Sequence, residues 1–319
     1  MSQTLNGNPW PALPYAGWRE TYETLHRWSQ IVGKTRLALE PMVNHWWEVP
    51  FYLSARGFTT SAMPYGAAGL VEIEFDFLDH QLAFRTSEGA RQSMALTSRS
   101  VADFYKEYRQ ILASLGVDAK IWPVPVELPT DALPFLDDQI HATYDPVMAE
   151  RFWRVLIRVD RVFKVFRGRY VGKASPVHLF WGGMDLAVTR FSGRPAPPHP
   201  GGVPHLPDAV TREAYCQEVS SLGFWPGNAA APTPVFYSYA YPEPPGFGAA
   251  KIQPDAAFYE TKLREFILPY DAVRTAEKPD QVLLDFAQSA YDAASKLGKW
   301  DRAALEEKKP ALHLPRQHS

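Results

Sequence analysis

LVEIEFDFLDHQLAFRT, Leu70 to Thr86, decides the fold class. Val71, Ile73, Phe75 and Phe77 alternate with Glu72, Glu74 and Asp76, the period-two pattern of a strand with one apolar face. Leu78-Asp79-His80-Gln81 supplies a turn, and Leu82-Ala83-Phe84 reads as the returning strand. Helical spacing flanks this hairpin on both sides. Tyr22, Leu25, Trp28 and Val32 share one face of a helix over 18–36. Val101, Phe104, Tyr108, Ile111 and Leu115 mark another over 99–115, with Gly116 as its stop. The first class is therefore α+β, with antiparallel sheet elements flanked by helices.

The rest of the chain repeats this alternation. Asp145-Pro146 opens a long helix over 146–170, proline being tolerated at the first helical position. Phe152, Leu156, Val159, Phe163, Phe166 and Tyr170 are its apolar stripe. PVFYSYAYPEPPGF (234–247) reads as a strand whose Tyr237, Tyr239 and Tyr241 share one wall. Val282, Phe286, Ala290 and Ala293-Ala294 define a last helix. Prolines 9, 11 and 14 make residues 1–17 an extended arm, 117–144 is a proline-broken connection, and 306–319 reads as a frayed tail. The body, 18–305, is expected to be one compact unit.

Two halves, 18–116 and 145–298, show a weak internal likeness. Each runs helix, Val-Gly-Lys (Val32-Gly33-Lys34; Val171-Gly172-Lys173), then a strand with His and Trp. A duplication would relate His45 to His178 and Arg56 to Arg190 about a pseudo-twofold axis.

Bulk properties exclude several classes. The 319 residues are 46% hydrophobic and 21% charged, with a formal net charge of −2, so neither disorder nor a nucleic-acid or anionic-membrane footprint is expected. The single cysteine, Cys216, builds no intrachain disulfide or zinc knuckle. With no signal peptide and no apolar run of membrane-spanning length, a soluble cytoplasmic protein is expected. GxGxxG, Walker A, GxSxG and HExxH motifs are missing, so no nucleotide cofactor is implied.

SPVHLFWGGMDLAVTRFSGRPAPPHPGG, Ser175 to Gly202, concentrates polar chemistry. Neutral imidazole and carboxylate suit zinc or iron, so His178, Asp185 and His199, with His205 nearby, form a candidate metal set. A flat strand puts His178 and Asp185 on opposite faces; a bulge at Gly182-Gly183 would restore the same face. A metal-free constellation joins His45 and Glu48 to Arg56, Arg190 and Arg194. There the arginines would hold a carboxylate or phosphate while His45 or His178 moves a proton. Trp46, Trp47, Trp181, Trp225 and Tyr239 would form walls. Arg151, Arg154, Arg158 and Arg161 form a helical stripe with two readings: a receiver of a polyanion or acidic partner, or, as the favoured expectation, a solvated face that pairs with the acids of strand 70–77.

Several stretches resemble one known family. WPALPYAGWRETYETLHRWSQIVGK, VNHWWEVPFYLSARGFTTS, SPVHLFWGGMDLAVTRFSGR, EVSSLGFWPG and FILPYDAVR are similar to the bacterial family called domain of unknown function 5996. The likeness runs from about residue 9 to 305 and implies one full-length unit. It carries no catalytic residue, cofactor or ligand with it.

The expected function is an enzyme acting on a small anionic, partly aromatic or apolar metabolite. His178, His45, Glu48 and Asp185 would be its catalytic groups. Two alternatives stay open: a non-catalytic small-ligand-binding protein, and a scaffold forming a homodimer through exposed aromatics.

Overall fold

The computed structural model describes residues 9–128, 132–202 and 206–307. In chain order the elements are α1 (Arg19–Leu39), β1 (Tyr52–Leu53), β2 (Gly57–Thr59), β3 (Met63–Tyr65), β4 (Gly69–Asp76), β5 (Gln81–Thr86), β6 (Arg91–Ala95) and α2 (Val101–Ser114). The second half follows with α3 (Pro146–Gly168), β7 (His178–Phe180), β8 (Asp185–Pro195), α4 (Asp208–Ala214), β9 (Gln217–Trp225), β10 (Val235–Tyr241), β11 (Phe258–Glu260), β12 (Glu265–Pro269), α5 (Tyr270–Arg274), α6 (Pro279–Leu297) and α7 (Arg302–Leu305). The class is α+β, built on two antiparallel sheets.

The hairpin that decided the class is β4–β5, in the register Ile73↔Phe84 and Phe75↔Leu82. β2 and β3 share the other side of β4, and β6 closes the far edge, giving the order β1-β2-β4-β5-β6. The second sheet runs β11-β12-β10-β9-β8-β7. The two sheets touch at their first strands. Phe51 and Leu179 exchange both backbone hydrogen bonds, each 2.9 Å, as an antiparallel bridge.

Local chemistry sets the helix starts. The Asp145 side chain accepts from Val147 and Met148 N–H at 2.9 and 3.3 Å, satisfying donors that the first turn of α3 leaves free. Ser100 does the same for α2 through Asp103 N–H at 3.0 Å. α3 and α6 cover one face of the second sheet, and α1 lies between α2 and α3. Because elements surround α1, nearly every residue from Thr21 to Arg36 is buried, polar ones included. The N-terminal segment joins the same core: Trp10 is buried and its indole N–H donates to Asp280 at 3.1 Å.

Some expectations are corrected. The acidic side of β4 is covered, not wet. Glu74 accepts from Ser54 Oγ at 2.6 Å and pairs with Arg85 at 2.8 Å, while Asp76 pairs with Arg56. The arginine stripe does not meet those acids: Arg154 pairs with Glu150 at 2.9 Å and Arg161 with Asp280. Val32-Gly33-Lys34 lies inside α1, whereas Val171-Gly172-Lys173 follows the end of α3, so the two tripeptides are not equivalent in the fold. Of the expected tail, Glu306 bridges to Tyr170, and 308–319 lies outside the described residues. Among the described residues, no helix is long and apolar enough to cross a membrane.

Candidate functional site

The face of the second sheet opposite α3 and α6 lines a cavity of about 600 Å³. Strand alternation determines which side chains reach it. Asp185, Ala187, Thr189 and Phe191 of β8 point into it, and Leu186, Val188 and Arg190 point to the core. β9 contributes Val219 and Ser221, and β10 contributes Tyr237 and Tyr239. The roof comes from the first half: α1 through Lys34 and Leu37, the turn Asn44–Trp46 with Trp47, and the connection through Trp122 and Glu127. Loop residues His199 and Tyr215 close one end.

The floor carries the clearest polar arrangement. Tyr237 donates its hydroxyl to the Asp185 carboxylate. Residue pairing places Tyr237 beside Gly223 and Gly223 beside Ala187, so the phenol crosses β9 to reach β8. Only glycine permits this, because a Cβ at residue 223 would lie within the Tyr237 ring. Tyr215 and Tyr239 hydroxyls meet next to this pair at 2.8 Å.

Burial raises the Asp185 carboxyl to about 6, against the Tyr237 hydrogen bond, which lowers it. Glu127 carries a second carboxyl against the Gly182-Gly183 backbone. It is exposed as a residue, but the cavity walls surround its carboxyl and raise its pKa, with the charge of Asp185 adding to the effect. Glu265 on β12 is raised to about 7 by burial and by Asp185. Two further acids, Glu127 and Glu265, thus compete for charge with the tyrosine-bonded Asp185 carboxylate.

Backbone strain gathers at the same place. His45 (φ 62°), Trp46 (φ 60°), Glu127 (φ 56°) and Met184 (φ 58°) are four of the eight non-glycine residues in the left-handed region among the described residues. Three of them line the cavity and Met184 precedes Asp185. Strained residues of this kind persist where the surroundings over-determine them, and they cluster at functional sites.

At the roof, the His45 ring is fixed from both sides. One nitrogen, Nδ1, donates to the Ala214 carbonyl at 3.0 Å, and Nε2 accepts from Lys173 Nζ at 2.6 Å. Burial lowers the His45 pKa, as does the Lys173 charge. Trp181 is anchored by its N–H to the Val49 carbonyl at 2.8 Å. Its indole lies against Gly33, where a Cβ would enter the ring.

The sequence-derived site divides. His45, Trp46, Trp47, Trp181, Asp185, His199 and Tyr239 line the cavity. Glu48 does not: its carboxylate accepts from Val43 N–H at 3.0 Å and holds the local turn. Trp225 donates to the Gly183 carbonyl at 3.2 Å outside the lining. The three arginines are elsewhere. Arg56 is held by Asp76 and Asp79. Arg194 pairs with Glu218 at 2.6 Å and donates to the carbonyls of Gly298 and Lys299. Arg190 is buried on the core face, its guanidinium 3.5 Å from the Phe166 ring centroid and 4.4 Å from that of Tyr291, and it donates to the Phe166 carbonyl.

The metal set is not brought together either. Residues 181–184 turn the β7–β8 hairpin and form no bulge; His178 pairs with Ala187 and Phe180 with Asp185. His178 is 1% exposed, packs against Trp47, Tyr52 and Phe180, and has no hydrogen-bond partner for either ring nitrogen among the described residues. Burial lowers its pKa to about 3, with Arg36 and Arg167 adding to the effect. The His199 Nδ1 accepts from Gly201 N–H at 3.0 Å while its ring stacks on Tyr215. Among the described residues no three His, Cys, Asp or Glu side chains converge as ligands, and His205 lies outside them. Lys34, Trp122, Glu127 and Tyr215 are cavity residues that sequence reasoning missed.

The model of the Family of unknown function (DUF5996) matches residues 10–307. The chain belongs to that family. No curated protein and no solved structure matches it. Family membership therefore adds no chemistry, and the functional argument rests on the cavity.

Proposed function

We propose that this chain is an enzyme that accommodates a small aromatic or apolar molecule in the cavity and moves a proton at Asp185. The observation that carries the reading is the Tyr237–Asp185 pair on the floor of an aromatic-walled space. A carboxyl near pKa 6 is matched to general acid–base work near neutral pH, and a fixed phenol orients it. The volume is that of an ordinary small-ligand pocket. Because Arg56, Arg190 and Arg194 face away from it, the ligand class is set by the aromatic walls and not by an arginine clamp.

The test is a panel of small aromatic compounds read by tryptophan fluorescence and melting temperature. Binding to the wild type is expected, and its loss in Ala187→Phe, which fills the cavity from its floor. Asp185→Asn then separates the two main readings. Binding kept with turnover lost is the enzyme outcome; binding kept with no turnover in any variant favours the ligand-binding protein. No binding by any compound sinks both.

A further inference from the structure

Lys34 is a largely buried lysine whose amine opens to the cavity and meets no counter-charge among the described residues. It is 5% exposed and lines the cavity. Its Nζ lies 5.9 Å from the Trp181 ring centroid. Among the described residues it has no ion-pair partner, in a chain whose other buried cations are held: Arg27 by Asp138 at 3.1 Å, and Arg36 and Arg190 by backbone carbonyls. A buried charge with no partner is costly, and a lysine escapes that cost by losing its proton. Burial accordingly lowers its pKa to about 8. Gly33 precedes this lysine so that Trp181 can lie against the helix, which leaves Lys34 beside the indole and open to the cavity.

We propose that Lys34 is a nucleophilic amine that captures an aldehyde or ketone in the cavity as an imine. This rests on the reading of the cavity as a small-molecule site and names its substrate class as carbonyl compounds with an aromatic or apolar body. The amine lone pair forms the carbon–nitrogen bond. Both nitrogen protons pass to the carbonyl oxygen by way of cavity water, and that oxygen leaves as water. No redox partner is needed. Desolvated lysines in apolar pockets are the standard amine nucleophiles of this chemistry. An ordinary lysine is about 0.04% neutral at pH 7, whereas one with a pKa near 8 is about a tenth neutral, which favours Lys34 over surface lysines.

The experiment treats the full chain with benzaldehyde and sodium borohydride and maps the reduced adduct by peptide mass spectrometry. The expected result is one dominant adduct on Lys34, about tenfold or more above any other lysine, absent from Lys34→Met and Lys34→Arg. Mapping on the wild type keeps the test valid if a variant fails to fold. Benzyl alcohol and benzoate, read by tryptophan fluorescence, separate the two ideas. If benzyl alcohol binds but Lys34 carries no adduct, the imine proposal falls and the cavity reading stands. If benzoate binding is lost in Lys34→Met and kept in Lys34→Arg, with no adduct, Lys34 is an anion contact and the proposal falls. If neither probe binds and no adduct forms, both readings fall.

Discussion

The Tyr237 hydroxyl reaches the Asp185 carboxylate from two strands away, across the bare backbone of Gly223. That geometry makes Gly223 the residue on which the pair depends. Gly223→Ala is expected to destabilise the protein by about 1–3 kcal/mol, the usual cost of forcing a methyl into a packed site. Adding Tyr237→Ser should recover part of the loss, because the smaller side chain vacates the space. Thermal unfolding of the two single variants and the double variant measures this coupling; strict additivity would mean the contact is not the cause.

Asp185 should make the folded state weaker as pH rises. Its folded pKa, about 6, lies above the unfolded value near 3.9. The native state therefore holds more protons between these values, and stability attributable to this group falls from pH 4 to pH 6 and is flat above. Asp185→Asn removes that loss. It is expected to melt higher than the wild type at pH 8 by an amount equivalent to about 1–3 kcal/mol, and to show almost no difference at pH 4. Turnover, once a substrate is found, should vanish in the same variant, a stability gain coupled to a loss of function.

His178 predicts the opposite sign. Its folded pKa is lowered to about 3, so below the unfolded value near 6.5 the unfolded chain binds a proton that the native ring refuses. Stability is lost as pH falls through that window, by about 2 kcal/mol at pH 5. His26, lowered to about 4 by burial, acts the same way. Because neither nitrogen of His178 is bonded within the described residues, His178→Leu should cost little at pH 7 and stabilise at pH 5. Melting curves across pH 4.5–7.5 test it; a large loss at pH 7 would show that the imidazole has a polar role after all.

Arg190→Met should leave ligand binding to the cavity unchanged. The guanidinium lies on the core face between Phe166 and Tyr291, and methionine keeps an unbranched, polarisable chain there. Isothermal titration with any ligand found by screening checks this. A tenfold or greater loss of affinity would restore Arg190 to the site.

Much of the architecture was legible because its signals are local. β4–β5 shows a clean alternation, and α2, α3 and α6 each keep one apolar stripe. Part of the cavity was legible for the same reason, since Tyr237 and Tyr239 alternate along β10. The arginine clamp failed on information already in the strand. Asp185 and Arg190 differ by five, so alternation alone sends them to opposite faces of β8. Lys34 was hidden by its helix: α1 is buried all round, so no single stripe separates inside from outside. A usable signal existed, because Lys34 has no acid three or four residues away (Gln30, Ile31, Leu37 and Ala38 occupy those positions). Glu127 sits in a proline-broken connection with no periodicity to read, and only tertiary contact brings it to Asp185.

The Phe51–Leu179 bridge also bears on how the two sheet edges are protected. An open sheet edge offers free N–H and C=O groups to any passing strand. Here β1 and β7 are the outer strands of their sheets, and the bridge beside them turns each edge toward the other. A half released on its own would bare that strand to solvent. Such fragments are expected to stick to one another, or to the missing half supplied in trans.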